Sequence, residues 1–344
     1  MEYTVLLFAH YCKCISIVDK VSLIMTTSHR PQVLSAFLLE RLMTTPHHPQ
    51  VLSACLVGLL LAGCVSPQGR QATQPAHPEA QASSEGGGWL EPWPDHHESQ
   101  HESPYVHGFG LEPAFLDRDV FLDFRTSRGP EDDEIELAME LEWALTRRIG
   151  LVLEAPYEHL SLGDGQTPSG LGDLAVGLRL LLVESPDFLL SSNLEVALPS
   201  GSESKGLGSG EVGGAPSFSA WFNLGNRLQA SVQVGTEHGF ESEDLELFYA
   251  GALAYSLPFD GQANSDSHDH STDHSPSGLT SVMLEYTGRT VLHGELDGRD
   301  TAEVLLGLSH SVTQSWAVRG AYQVAIGDEK DFDRAVLVGL VYHF

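Results

Sequence analysis

The sequence predicts an all-β chain, an antiparallel up-and-down transmembrane β-barrel of about 12 strands (range about 10 to 14) behind a disordered N-terminal tether. Three observations predict it. Apolar residues alternate with polar or small ones from Asp117 onward, in segments that recur about every 15 to 20 residues between Gly, Pro, Asn and Asp turns. The connections between segments alternate between short and long. After residue 64 no continuous apolar run approaches the roughly 18 residues of a membrane helix, and the mean hydropathy is near zero. Alternating strands average out in hydropathy, so this last fact excludes a helical membrane protein without excluding a barrel.

At 344 residues the chain is long enough for a sizeable core or one medium barrel. Its formal net charge of -29 argues against nucleic acid as a partner, because binding there rests on cations that neutralise phosphates. All four cysteines (Cys12, Cys14, Cys55 and Cys64) lie in the first 64 residues. A body processed after that point has no structural disulfide.

Residues 25–42 and 43–60 are near-copies that share the frame MTT-x-H-x-PQVLSA-x-L. Only the second runs into an apolar stretch, 51–62, that ends Leu61-Ala62-Gly63-Cys64. That is a signal-peptide core followed by a lipobox, with Cys64 as the acylated mature N-terminus. An ordinary signal peptide cut nearby is the other reading. Translation starts at Met1, Met25 or Met43. The expected division is therefore an upstream segment and signal peptide over 1–63, a His-, Pro- and Ser-rich tether over 64–112, and a barrel over 113–344. Within the tether, His97-Glu98-Ser99-Gln100-His101 spells a zinc-protease motif. It follows Pro92 and Pro94 and has no apolar face to bury, so it reads as a chance match.

The strands follow in order. Val120, Leu122 and Phe124 open the first. In 134–145, Ile135, Leu137, Met139, Leu141, Trp143 and Leu145 form one face, and Glu134, Glu136, Ala138, Glu140 and Glu142 the other. Similar alternation runs through Leu151–Tyr157, Leu174–Leu182, Leu194–Leu198, Phe218–Leu224 and Leu228–Val234, and then through Leu245–Tyr255, Val282–Tyr286, Val304–Leu308 and Trp316–Val324. Short connections are expected at 146–148, 184–187, 225–226 and 313–315. Longer ones, rich in Gly and charge, are expected at 126–133, 163–169, 199–214, 238–244, 290–300 and 327–332. Short periplasmic turns and long outer loops give this asymmetry, and an even strand count puts both termini in the periplasm. One long connection, 258–278, falls on the periplasmic side. It carries His268, His270 and His274 among aspartates, a composition that holds divalent first-row metals weakly or is simply a solvated insert.

The last strand, 333–344, has Val336, Val338, Leu340, Tyr342 and Phe344 on one face, and small residues with His343 on the other. Tyr342 and Phe344 resemble the signal read by the machinery that inserts outer-membrane barrels. Aromatics at strand ends fit the girdles at the membrane surfaces. Parity carried from this strand assigns Asp119, Asp123, Glu134, Glu136, Glu140, Glu142, Glu154, Glu158, Asp173 and Glu195 to the lumen. Interior charge of one sign concentrates counter-ions, so an open lumen would favour cations; a closed one would simply be hydrated.

The chain reads ALTRRIGLVLEAPYEHL over 144–160, GLGDLAVGLRLLL over 170–182 and SSNLEVALPSGSESKGLGSG over 191–210. This succession resembles the outer-membrane barrel family named for the MetA pathway of phenol degradation, over about 112–344. The resemblance implies a barrel that passes small, often hydrophobic or aromatic compounds. It supplies no catalytic or ligand residues. The expected function is thus an outer-membrane channel or transporter, in contact with membrane lipid and the assembly machinery, with its anchored N-terminus in the periplasm. No cofactor is expected beyond a weakly bound divalent metal. The alternative is a metal-cation-handling barrel that uses its His- and Asp-rich segments. An enzyme is not expected, since His159, Ser309 and His310 lack a partner that would activate them.

Overall fold

The computed structural model describes residues 88–94, 103–130, 132–257, 277–294 and 296–344. Cys64 and the signal segment, the motif at 97–101, and His268, His270 and His274 lie outside the described residues.

The alternation becomes thirteen strands: β1 (Arg118–Arg128), β2 (Asp133–Ala144), β3 (Ile149–Ser161), β4 (Ser169–Leu171), β5 (Leu174–Ser185), β6 (Phe188–Leu198), β7 (Gly213–Gly225), β8 (Leu228–Gly239), β9 (Leu245–Ser256), β10 (Thr280–His293), β11 (Asp300–Ser311), β12 (Trp316–Ile326) and β13 (Arg334–His343). Each long strand pairs antiparallel with its neighbours in sequence, and β1 pairs with β13 from Asp119↔His343 to Arg128↔Arg334. Twelve long strands thus close a ring, with the three-residue β4 folded onto β3 as an appendage. Closure leaves no unpaired edge in the ring, as a barrel in lipid requires.

Outward positions carry the large apolar side chains. Leu137 and Met139 on β2, Leu306 on β11 and Val338 on β13 are all more than 40% exposed, and every long strand except β7 adds a large exposed apolar side chain to the same surface. A continuous apolar band of that extent has no place against water and matches a hydrocarbon layer. The strands are 10 to 14 residues long, which suffices for a tilted crossing. At the end that holds the chain's C-terminus, Trp143, Phe344, Tyr342 and Trp316 make a run of ring contacts, with centroids 5.2, 5.0 and 4.9 Å apart. Arg118 lies over Trp143. This is the aromatic and cationic belt of a membrane–water interface.

Connections at the same end are short, the exception being the one between β9 and β10. Asn226 and Arg227, with φ of 53° and 64°, make the two-residue turn between β7 and β8, whose left-handed backbone suits strand twist. At the opposite end, 199–212 is the longest loop among the described residues. One expected long loop there is short: β1 and β2 stay paired out to Arg128↔Asp133, leaving only 129–132 between them. The segment with His268, His270 and His274 joins β9 and β10 at the end where both β1 begins and β13 finishes.

The interior departs most from expectation. Residues 103–112, read from the sequence as the end of a solvated tether, are packed inside the ring. Ser103 and Leu111 are buried, as are Ala114, Phe115, Leu116 and Asp117 just after them. The physical reason lies in composition. Tyr105, His107, Phe109 and Leu111 stand at alternate positions, separated by Val106, Gly108 and Gly110. Phe115, Leu116, Leu181, Leu189 and Trp221 form a buried cluster, with Trp93 and Tyr105 against it. The largest apolar core thus forms where this inserted segment meets the barrel wall.

Candidate functional site

The inserted segment 103–117 is a loop that rises from one end of the barrel and returns to it. Its two legs are fixed near that end. Ser103 Oγ donates to Asn223 at 2.9 Å, and Ala144 N donates to Asp117 O at 2.9 Å. Tyr105 stacks on Phe115 of the returning leg at 4.6 Å, with the Trp221 edge at 5.1 Å. The tip is held by charge. Phe109 N and Gly110 N donate to the two oxygens of Glu285, at 2.8 and 3.0 Å. Glu112 N donates to Gln233 at 3.0 Å.

Two arginines of the wall bind both wall and loop. Arg319 donates to Asp123 (Nε–Oδ1, 2.9 Å) and to Gly108 O, and its guanidinium lies over Phe109 and Phe121. Arg179 pairs with Glu142 at 3.2 Å and with Glu112, and donates to Phe115 O. Both arginines are buried. A buried charge of this kind is stable only when paired and hydrogen-bonded, as these are.

Beside the loop lies a cavity of about 300 Å³. Six glutamates border it (Glu112, Glu140, Glu142, Glu154, Glu195 and Glu237), against the three arginines Arg179, Arg289 and Arg319. Glu140 faces Glu154 across the β2–β3 pair, so the carboxylates come from adjacent strands and not from one segment.

The other carboxylates assigned by parity are placed as follows. Asp119 is fully buried between His107 and His343, with His343 Nδ1 2.8 Å from its Oδ1. Asp123 pairs with Arg319, and Glu134 with Arg125 at 2.9 Å. Glu136 and Glu158 are register partners, half-buried and away from the cavity lining. Asp173 departs from the assignment: it lies in the connection before β5, outside any strand, where strand parity does not apply. Its carboxylate accepts from Gly201 N at 2.9 Å and from Ser209 N and Oγ at 2.7 and 2.8 Å. Partial burial pushes this carboxyl up, but the donors of Ser209 and Gly201 outweigh that and hold it below the usual aspartate range. Glu211 in the same loop is likewise held low, first by the Ser242 hydroxyl and then by the backbone amides of Ser242 and Glu241.

Ser309 and His310 are adjacent on β11 and so point to opposite faces. His310 Nδ1 lies 2.9 Å from Thr280 Oγ1 instead. Glu112 and Asp117, which sequence reasoning left out of the site, are brought to it by the inserted loop. The signal that would have found them is the alternation from Tyr105 to Leu111.

No family description matches the chain, and no curated protein matches it. Solved structures do. An outer membrane channel from Pseudomonas putida F1 is 13% identical, with a TM-score of 0.50, over 70% of this chain and 100% of that one. KdgM porin, in complex with disordered oligogalacturonate, is 12% identical over 65% of this chain and 99% of its own, at a TM-score of 0.41. NanC porin is 11% identical over 66% and 100%, at 0.42. At such identities the likeness is one of fold, and the two porins are too loosely superposed to support more. The chain is similar to a barrel channel in architecture: a closed antiparallel ring around a polar interior.

Proposed function

We propose that this chain is a channel of the bacterial outer membrane for small molecules, with a lumen that favours cations. The observation that carries the reading is the cavity of about 300 Å³ inside a ring whose outer face is apolar, bordered by six glutamates and three arginines. A volume of that size lies at the lower end of small-molecule sites. The carboxylate excess lowers the energy of a cation there, more strongly than in bulk water because the surroundings polarise less. The inserted loop narrows the route, so passage runs beside it or requires it to shift. On the resemblance described above, the compounds passed are small hydrophobic or aromatic ones. The chain acts as a conduit and not as an enzyme.

In this reading Cys64 is acylated and holds the N-terminus in the periplasm, on the side of the short turns. Tyr342 and Phe344, at the aromatic belt, present the closing strand to the barrel-assembly machinery. Purified protein in a planar bilayer under a KCl gradient should show a reversal potential of the sign set by K⁺. Anion selectivity, or no conductance, would refute the channel. A second reading, a metal-cation-handling barrel, draws support from groups of ligating side chains in the interior (His107, Asp117 and Asp119; Glu112, Glu140 and Glu142).

A further inference from the structure

Where the inserted loop meets the wall, His107 faces two carboxylates. Its Nε2 lies 3.0 Å from Asp117 Oδ2 and 3.3 Å from Asp119 Oδ2. The two aspartates are 2% and 0% exposed. A ring nitrogen carries at most one hydrogen, so it serves one carboxylate and leaves the other short. Asp119 Oδ2 is accordingly a fully buried carboxylate oxygen that receives no hydrogen bond. Such an atom is costly to bury, and with only the shared His107 nitrogen at 3.3 Å it has capacity for a further positive partner.

The arrangement has the marks of a cation site. First-row metals bind imidazole nitrogen and carboxylate oxygen at about 2.0 to 2.2 Å, which sets neighbouring ligand atoms roughly 3 to 3.5 Å apart. Both distances from His107 Nε2 fall in that interval. The other oxygen of Asp119 is held by His343 Nδ1 at 2.8 Å, as ligating carboxylates are held in metal proteins. A cavity of about 50 Å³ bordered by Phe121, Arg319 and His343 reaches His107, the one ligand among its lining residues, and gives a route by which an ion approaches.

We propose that His107, Asp117 and Asp119 bind one divalent first-row cation of the Zn²⁺ type, with His343 as the residue that positions Asp119. One imidazole and two carboxylates, without a thiol, suit Zn²⁺, Co²⁺ or Mn²⁺. His107 comes from the inserted loop, Asp119 from β1 and Asp117 from the junction, so the ion pins the loop to the wall. The site stands whether or not the barrel conducts.

The test uses the full chain, stripped with a chelator, in detergent, with Co²⁺ as probe and Zn²⁺ in calorimetry. His268→Ala/His270→Ala/His274→Ala serves as the parent, so that the β9–β10 connection contributes nothing. One equivalent should bind to this parent. His107→Ala should abolish that binding while the barrel keeps its heat-modifiable migration. His343→Ala should weaken it roughly 10- to 100-fold, the usual effect of a residue behind a ligand. Co²⁺ X-ray absorption on the parent should report one imidazole among oxygen ligands, a readout that needs no variant. No binding to the parent, unchanged affinity in His107→Ala, or a count of zero or several imidazoles would overturn the proposal.

Discussion

Glu285 carries the most exposed prediction about the interior. Its side chain is 1% exposed, and each of its oxygens accepts one backbone N–H from the tip of the inserted loop, Phe109 at 2.8 Å and Gly110 at 3.0 Å. A hydrogen bond to a charged group contributes about 1.5 to 3 kcal/mol. Glu285→Gln is nearly isosteric but has only one acceptor oxygen. One N–H keeps its partner, and the other faces the amide NH₂, donor against donor. The tip should therefore lose about 1.5 to 3 kcal/mol of docking, a shift of roughly ten- to a hundred-fold in the population of the undocked loop. The ladder hydrogen bonds of β10 are unaffected, so the barrel should remain intact. Hydrogen exchange followed at the amides of 109 and 110 measures the shift directly, with the amides of β10 and β11 as internal standards. Glu285→Ala, which removes both acceptors, should release the tip further. If these two amides exchange as slowly in Glu285→Gln as in the parent, the loop is not held by this carboxylate and the account of the interior is wrong.

Two predictions concern the opposite ends of the barrel. Asp173 is a carboxylate held below its ordinary range by the loop 199–212, so the contacts it makes stabilise that loop at neutral pH. They are lost as pH falls through its depressed folded value, below the usual aspartate range. Protection of the Gly201 and Ser209 amides, taken relative to their intrinsic rates, should be high near neutrality and lost in strong acid; Asp173→Ala should remove it throughout, and protection that ignores both changes would refute the anchoring. At the other end, Phe344→Ala removes ring contacts with Trp143 and Tyr342, about 1 to 3 kcal/mol of aromatic packing at the belt. A smaller heat-modifiable fraction in membranes is the expected result, and an unchanged fraction would count against the role given to the belt.

The parts legible in sequence and the parts hidden from it divide on a physical line. A strand that faces lipid must be apolar at every outward position, so period two is written into each of the twelve long strands and needs no knowledge of neighbours. Ile135, Leu137 and Met139 show this within one segment. The inserted loop is different, because its partners are remote. Phe109 meets Glu285, 176 positions away, and Arg319 reaches back 211 positions to Gly108. Its alternating aromatics are diluted by Gly108 and Gly110, and those glycines are present for contact: a Cβ on Gly108 would come within 3.2 Å of a Glu285 oxygen. Composition therefore gives the same signal for a glycine-rich tether and for a loop that must press close to a wall. Asp173 shows the converse failure, a parity carried one residue past the strand that justified it.

The interior is asymmetric, and the asymmetry explains why the loop and the cavity coexist. Many inward positions of β11 to β13 are small (Gly307, Ala317, Ala321, Ala325, Ala335 and Gly339), set among larger ones such as Leu305, Arg319 and Leu337. A Cβ on Gly307 would lie 2.6 Å from the Phe109 ring, so this wall has room for the loop only because the side chain is missing. A Cβ on Gly339 would fall on the Asp123 carboxylate and break its pair with Arg319, the residue that grips the loop. Phe109 accordingly packs beside Leu305, Ala325, Ala335 and Leu337. The acidic wall, from β2, β3 and β6, carries Glu140, Glu142, Glu154 and Glu195, whose mutual repulsion and hydration oppose filling by apolar side chains. The tip of the loop, at Phe109, thus occupies the side with the small residues, and the open volume lies toward the carboxylates. A solute that entered would be confined between the docked loop and the acidic wall, which is where selection by charge would act.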